Sequence, residues 1–324
     1  IDISKGLDLE SSETATESEM VLVEHIPETS PVVQEKASFG DEVKRAAKIC
    51  ARGKEAVVSM FQEARMGRAI EAEAAAPLVE EISNSVMRNP GALISLARLK
   101  IADDYTYMHS VAVCALMIAL ARQLELDEQQ VRDAGMAGLL HDLGKAMIPL
   151  EILNKPGKLT EEEFALVKTH PEEGHKLLLA GIGISEMTRD VCLHHHEKVD
   201  GSGYPNRLAG KDISLHGQMA AIVDVYEALT STRPYRSAME PSHALQRIFG
   251  WNKQFNNDLV QRFIQCVGIY PVGTLVRLES GMVAIVVEAN PANLLRPTVR
   301  VVLDTRRDLI VTPRDLNLAK PSVK

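Results

Sequence analysis

The stretch AGMAGLLHDLGK, residues 134–145, decides how this chain is read. Its apolar run through residue 140 suits a buried helix, and His141 and Asp142 stand where that run ends. Adjacent His and Asp offer a metal pair one nitrogen ligand and one carboxylate able to bridge two ions. Lys145 lies four residues after His141, so a continuing helix would return it to the same face. By itself the motif also fits a helix-end histidine beside a surface aspartate.

A helical setting agrees with the rest of the chain. The 324 residues are 45% hydrophobic and 25% charged, the balance of a globular protein with a sizeable core. Only 4% are aromatic, against 12 Met, which favours aliphatic helices over a barrel or sandwich. A net charge of -8 excludes long-range attraction to DNA, RNA or an anionic membrane. An anionic substrate therefore needs local positive charge, which divalent metals held among the 10 His could supply. The 4 Cys are scattered without CxxC spacing, as a reducing cytoplasm permits. Residues 111–121, the longest apolar run, are too few for a membrane span of about 20 residues and read as a buried helix. The chain opens on Ile1, without a charged-then-apolar signal pattern, so Ile1 reads as a cut point.

Residues 8–40, rich in Glu, Ser, Thr and Pro, read as a mobile linker. From Asp41 apolar residues recur at helical spacing through Val43, Ala46, Cys50, Val57, Phe61 and Ala64, then Leu78, Ile82 and Val86, predicting two long amphipathic helices. Asp127 with Gln130, and Thr160 with Glu163, have capping-box spacing, and Lys155-Pro156-Gly157 separates elements. DGSGYPNRLAGKD, residues 200–212, must be a loop. After Gly268 the period becomes two, predicting a small sheet with strands around residues 272–278, 283–287, 299–303 and 309–311.

A second chemical signal is CLHHHEKVDGSGYP, residues 192–205. Three consecutive imidazoles are poor core fillers and face different directions, so ligation explains them better than packing, although a solvated polar turn also fits. His109 in YTYMHS, His170 in VKTHPEEG and Asp224 in AAIVDVYEALTSTRPYR each fit a bland role singly: a core His, a helix-terminal His, a helical Asp. A carboxylate inside the apolar run at residues 219–225 nevertheless asks for a partner.

In order, His, His-Asp, His, His-His and Asp closely resemble the HD superfamily of metal phosphohydrolases. HHExxDGxGYP, standing here as His195, His196, Glu197, Asp200, Gly201, Gly203, Tyr204 and Pro205, resembles its HD-GYP branch. LLHDLGKAMIP, ILNKPGKLTEEE, DVYEALTSTRPYR and GIYPVGTLV continue the likeness in order. The resemblance implies a mainly α HD-superfamily helical bundle with long N-terminal helices and a small C-terminal β appendage. It divides the chain into residues 1–40, a truncated accessory remnant and linker; 41–100, a helical extension; 101–270, the HD-GYP catalytic domain; and 271–324, a β subdomain.

The same resemblance implies a cyclic di-GMP phosphodiesterase releasing linear pGpG, with GMP as a further product. Implied metal ligands are His109, His141, Asp142, His170, His195, His196 and Asp224, with Asp142 bridging. Tyr105 stands where some relatives carry a third-metal Glu, so two divalent ions are expected, Fe or Mn. Lys145 would face the scissile phosphate, Asp103 would transfer protons, and Tyr204, Gly203, Arg233 and Arg236 would contact substrate. Glu227 replaces the usual Asp and is expected to shift a substrate-side contact. A diguanylate cyclase domain is an implied partner through the GYP loop. Two other readings stay open: another HD nucleotide phosphohydrolase, and a c-di-GMP sensor or partner-binding module with little turnover.

Overall fold

The computed structural model describes residues 37–98, 105–232, 237–290 and 292–320. Asp103, Arg233, Arg236 and the expected linker through residue 36 lie outside the described residues, as does the side chain of Tyr105.

Two amphipathic helices come first, α1 (Phe39–Arg65) and α2 (Ala72–Arg88), followed by a short α3 (Pro90–Arg98) that begins at Pro90. Ser38 caps α1 by accepting from the Asp41 amide. The pair is pinned by a buried carboxylate: Glu42 accepts from Ser85 at 2.8 Å, from Arg88 at 2.8 and 2.9 Å, and from Arg45 at 3.3 Å.

Helix α4 (Tyr105–Gln123) is apolar on every side, and residues 109–121 are buried throughout. A helix without a polar face must be covered all round. Here α1, α2, α3, α5 (Glu128–Leu140), α10 (Leu215–Thr230) and α12 (Asn257–Val267) do so. Side chains such as Leu116, Ile118 and Leu120 each contribute about 1.5–3 kcal/mol by leaving water. The Asp127/Gln130 box that starts α5 forms as the spacing predicts. Gly138 lets α5 lie close on α4, since a Cβ there would stand 3.0 Å from the Cys114 backbone. That approach brings the end of α5 to the first turns of α4.

The helix that would return Lys145 to the face of His141 ends at Leu140, and a 3-10 turn, Leu143–Met147, replaces it. The cause is a backbone crossing. A Cβ on Gly144 would lie 1.9 Å from the His170 carbonyl oxygen and 2.4 Å from the Gly174 amide, so only glycine admits α8 (His170–Leu179) here. Between them stand α6 (Leu150–Leu153) and α7 (Glu161–Val167), the latter started by the Thr160/Glu163 box. Helix α9 (Glu186–His194) leads into the glycine-rich loop, and α11 (Pro241–Gly250) packs on α10 and α12.

Residues of α1, α2 and α3 share one hydrophobic core with the helices after them. A second small core, Ala284, Val286, Val299 and Val301, lies in an antiparallel meander of β1 (Leu275–Arg277), β2 (Met282–Glu288), β3 (Thr298–Asp304) and β4 (Leu309–Asn317). Leu275 pairs with Ile285, Met282 with Asp304, and Asp304 with Leu309. The segment entering this sheet is held to α3 where Ser95 donates to the Val272 carbonyl and Gly91 sits under Val272.

Candidate metal centre

The crossing of the 3-10 turn over α8 sets Asp142 and His170 side by side. His109 arrives from α4, His141 from the end of α5, His195 and His196 from the end of α9, and Asp224 from the middle of α10. All seven candidate ligands meet in one place.

Asp142 is the centre of the arrangement. Its Oδ2 lies 3.4 Å from His141 Nε2 and 3.5 Å from His109 Nε2, while its Oδ1 lies 3.2 Å from His170 Nε2 and 3.8 Å from His195 Nε2. Asp224 spans the same divide, with Oδ1 3.0 Å from His109 Nε2 and Oδ2 3.9 Å from His196 Nδ1. Two ligand pockets result: His109, His141 and Asp142 in one, and Asp142, His170, His195 and His196 in the other.

The imidazoles are set so that lone pairs, not protons, point inward. His141 Nδ1 donates to the Gly138 carbonyl at 2.8 Å, His170 Nδ1 to Val167 at 2.7 Å, and His195 Nδ1 to Cys192 at 3.0 Å. A ring nitrogen committed as donor leaves the other as acceptor. His109 lies inside a helix, where nearby carbonyls are already used, and its Nδ1 instead meets the Glu227 carboxylate. Glu227 in turn accepts from Ser231 Oγ at 2.6 Å.

This gives Glu227 a place different from the one expected. It is buried behind His109, where its carboxylate meets the outer nitrogen of that ring. Its position three residues after Asp224, on the same helical face, was the available signal.

Acceptors consequently face one another. His109 Nε2 and His141 Nε2 stand 3.2 Å apart, as do His170 Nε2 and His195 Nε2, and buried Asp142 Oδ1 has no hydrogen-bond donor. Burial lowers the His109 and His196 pKa values to about 3 and that of His195 well below its ordinary range. Burial also opposes protonation of His141, but the Asp142 charge outweighs it and raises that pKa. Burial would raise both carboxyls, yet Lys145 and the imidazoles around Asp142, and His109 with its neighbours around Asp224, hold them well below the carboxylate range. Imidazoles whose outer nitrogens are committed as donors, together with ionised carboxylates, converge in a buried site and fit divalent cations by donor type and arrangement.

Lys145 hydrogen-bonds Asp142 Oδ2 at 2.5 Å across the 3-10 turn and keeps part of its side chain open to solvent. Tyr204 stacks on His196, with ring centroids 4.7 Å apart, and burial pushes its phenol pKa upward. The loop carrying it is tied from within. Buried Glu197 accepts from the amides of Asn206 at 2.6 Å and Leu208 at 3.1 Å, and Asp200 accepts from Ser202. Gly203 packs on the backbone, since a Cβ there would lie 2.5 Å from Glu197 Cα, so its glycine has a packing reason apart from any ligand. His194 turns away from the centre, bonding Asp190 at 2.8 Å and Asn206 at 3.1 Å.

A helical bundle that buries a shared-carboxylate His/Asp cluster defines a scaffold for binding divalent metal. Comparison with known proteins supplies the family. An HD domain model matches residues 82–258, and a model described as a domain of unknown function, DUF3391, matches residues 1–75. The chain is 51% identical over 322 residues to a cyclic di-GMP phosphodiesterase of Pseudomonas aeruginosa, covering 99% of this chain and 77% of that one. It is 44% identical over 131 residues, 40% of this chain and 35% of the relative, to the cyclic di-GMP phosphodiesterase response regulator RpfG of Xanthomonas campestris. A 3'3'-cGAMP-specific phosphodiesterase of Vibrio cholerae is 41% identical over 137 residues, 42% of this chain and 32% of that protein. Among solved structures, an HDG"Y"P protein from Bdellovibrio bacteriovorus matches with a TM-score of 0.56 at 20% identity, over 72% of this chain and 73% of that one, a likeness of fold. The chain belongs to the HD-GYP family of HD-domain proteins. Among the described residues, no helix is long and apolar enough to cross a membrane.

Proposed function

We propose that this protein is a metal-dependent phosphodiesterase that hydrolyses cyclic di-GMP to linear pGpG, with GMP as the product of a second cut. The observation that carries the reading is the Asp142 carboxylate, one oxygen turned to His109 and His141 and the other to His170 and His195. The 51% identity to a cyclic di-GMP phosphodiesterase over nearly the whole chain supports the substrate.

In this reading His109, His141, His170, His195, His196, Asp142 and Asp224 hold two divalent ions, iron or manganese suiting the mixed nitrogen and carboxylate donors. Such a pair would neutralise phosphate charge and supply a water activated for attack on phosphorus. The chain's own residues do the rest. Lys145 neutralises charge building on the scissile phosphate and gives a proton to the leaving 3'-oxygen as the P–O bond breaks. Asp103, and Arg233 with Arg236, are proposed for proton transfer and for guanine or phosphate contact. Tyr204, fixed on His196, forms one wall for the substrate, beside the Gly203 turn. Glu227 holds the His109 ring so that its lone pair keeps facing Asp224. The exposed edge of the loop, Ser202, Asn206 and Arg207, is the surface for a diguanylate cyclase partner, and the cytoplasm is the proposed compartment.

Protein loaded anaerobically with ferrous iron or manganese should convert cyclic di-GMP to pGpG, followed chromatographically beside metal content per chain. Binding without product in both metals would favour the sensor reading. Cleavage of 3'3'-cGAMP or a nucleoside phosphate, with cyclic di-GMP untouched, would reassign the substrate.

A further inference from the structure

At the end of α7, Lys168 is an exposed cation held between two aromatic rings. Its Nζ lies 4.7 Å from the Phe164 ring centroid and 5.4 Å from that of Tyr204. Phe164 is 48% exposed, unusual for a side chain of its kind, and Tyr204 is the ring stacked on His196. His196, Tyr204, Lys168 and Phe164 therefore run as a continuous series outward from the metal centre.

The ammonium is not spent on an acid. Glu163 pairs with Lys155 at 2.6 Å and with the Thr160 amide, Glu173 pairs with Lys176 at 2.7 Å, and no carboxylate among the described residues pairs with Lys168. Two ring faces hold a lysine in place without neutralising it, which an ion pair cannot do. Lys145, the other ammonium of the site, is bound to Asp142 inside the centre.

We infer that Lys168 is a specificity-determining residue that binds the second, non-reacting phosphate of the cyclic dinucleotide, with Phe164 and Tyr204 holding the ammonium at the rim. This rests on the phosphodiesterase reading. A cyclic dinucleotide carries two phosphates on one ring, so placing one against the metal centre beside Lys145 directs the other toward the mouth. There a fixed cation distinguishes it from a substrate with a single phosphate. The contact forms equally in ground and transition states, so it acts on substrate affinity and not on the chemical step.

The test compares cyclic di-GMP with bis(p-nitrophenyl) phosphate, a probe that has one phosphodiester. Lys168→Met should raise KM for cyclic di-GMP about ten-fold, with kcat within about three-fold, as expected for loss of one charge-assisted contact. Hydrolysis of the aryl probe should stay within about two-fold, and Lys168→Arg should recover most of the cyclic di-GMP affinity. Equilibrium binding of cyclic di-GMP in a Lys145→Ala background should weaken by the same factor on adding Lys168→Met, independent of turnover. If wild type binds and cleaves cyclic di-GMP while Lys168→Met leaves KM and binding unchanged, this inference falls and the function stands. Equal losses on both substrates would likewise overturn it, by placing the effect at the metal centre. If wild type cleaves the aryl probe but neither binds nor cleaves cyclic di-GMP, the functional reading fails and takes this inference with it.

Discussion

Among the described residues, the buried polar clusters around Glu42 and around Asp142 are built on opposite principles. Between α1 and α2, the Glu42 carboxylate is closed by Ser85, Arg88 and Arg45, every acceptor answered by a donor. Around Asp142, four imidazole nitrogens and two carboxylates face one another with their donors turned outward. A buried group left without a partner costs free energy, so a cluster that completes its own hydrogen bonds needs nothing further, whereas one rich in acceptors keeps lone pairs for cations to satisfy. The first joins two helices; the second is equipped to bind.

Experiments that remove one member from each cluster should separate these roles. The largest effect is expected for Asp142→Ala, which takes a ligand from both pockets: turnover should fall at least ~10³-fold and metal content should drop, with helical circular dichroism retained. An Asp142→Ala protein that kept its full metal content would break the contrast.

Glu227→Gln should act next most strongly, weakening metal affinity by roughly 10–100-fold in a chelator competition, because the His109 ring loses the partner that fixes its tautomer. Ser231→Ala, one bond further out, should fall between that variant and wild type.

Glu42→Gln belongs to the other cluster and should cost about 1–2 kcal/mol of unfolding free energy, read by urea denaturation, while metal content and kcat stay unchanged. Burial raises the Glu42 pKa, but the bonds from Arg88 and Ser85 outweigh it, so the folded value lies below the unfolded one. Its stabilisation is therefore complete above the unfolded pKa of about 4.3 and is lost as pH falls through the lower folded value. Wild type and Glu42→Gln should converge in stability under acid, and a gap that persists there would remove this carboxylate from the account.

The smallest effect is expected for His194→Ala. The ring is consecutive with two ligands but holds only Asp190 and Asn206, so kcat should change less than about three-fold, with any loss showing in KM. A collapse of activity or metal content would place His194 inside the centre.

Much of this was legible along the chain. The His and Asp residues that gather in the centre stand in the order of a known family, and both capping boxes form where Asp127 and Thr160 are spaced for them. The small sheet follows the period-two pattern, with β4 running further than its apolar residues indicate because Asp315 and Asn317 remain paired to β3. A continuing helix would bring Lys145 back to the face of His141, but Lys145 stands on a 3-10 turn, since nothing local announces that α8 will cross at Gly144.

What the amino-acid order determined by itself is the supply of donors, since imidazole and carboxylate chemistry belongs to the residue, together with the helices that carry them. The tertiary structure alone decided how those donors are aimed. Three histidines take their orientation from the carbonyls of the turn just before them, whereas His109 takes its own from Glu227, 118 residues away. Within a helix the backbone acceptors are already committed, so the ring must be oriented by a group that only packing brings near.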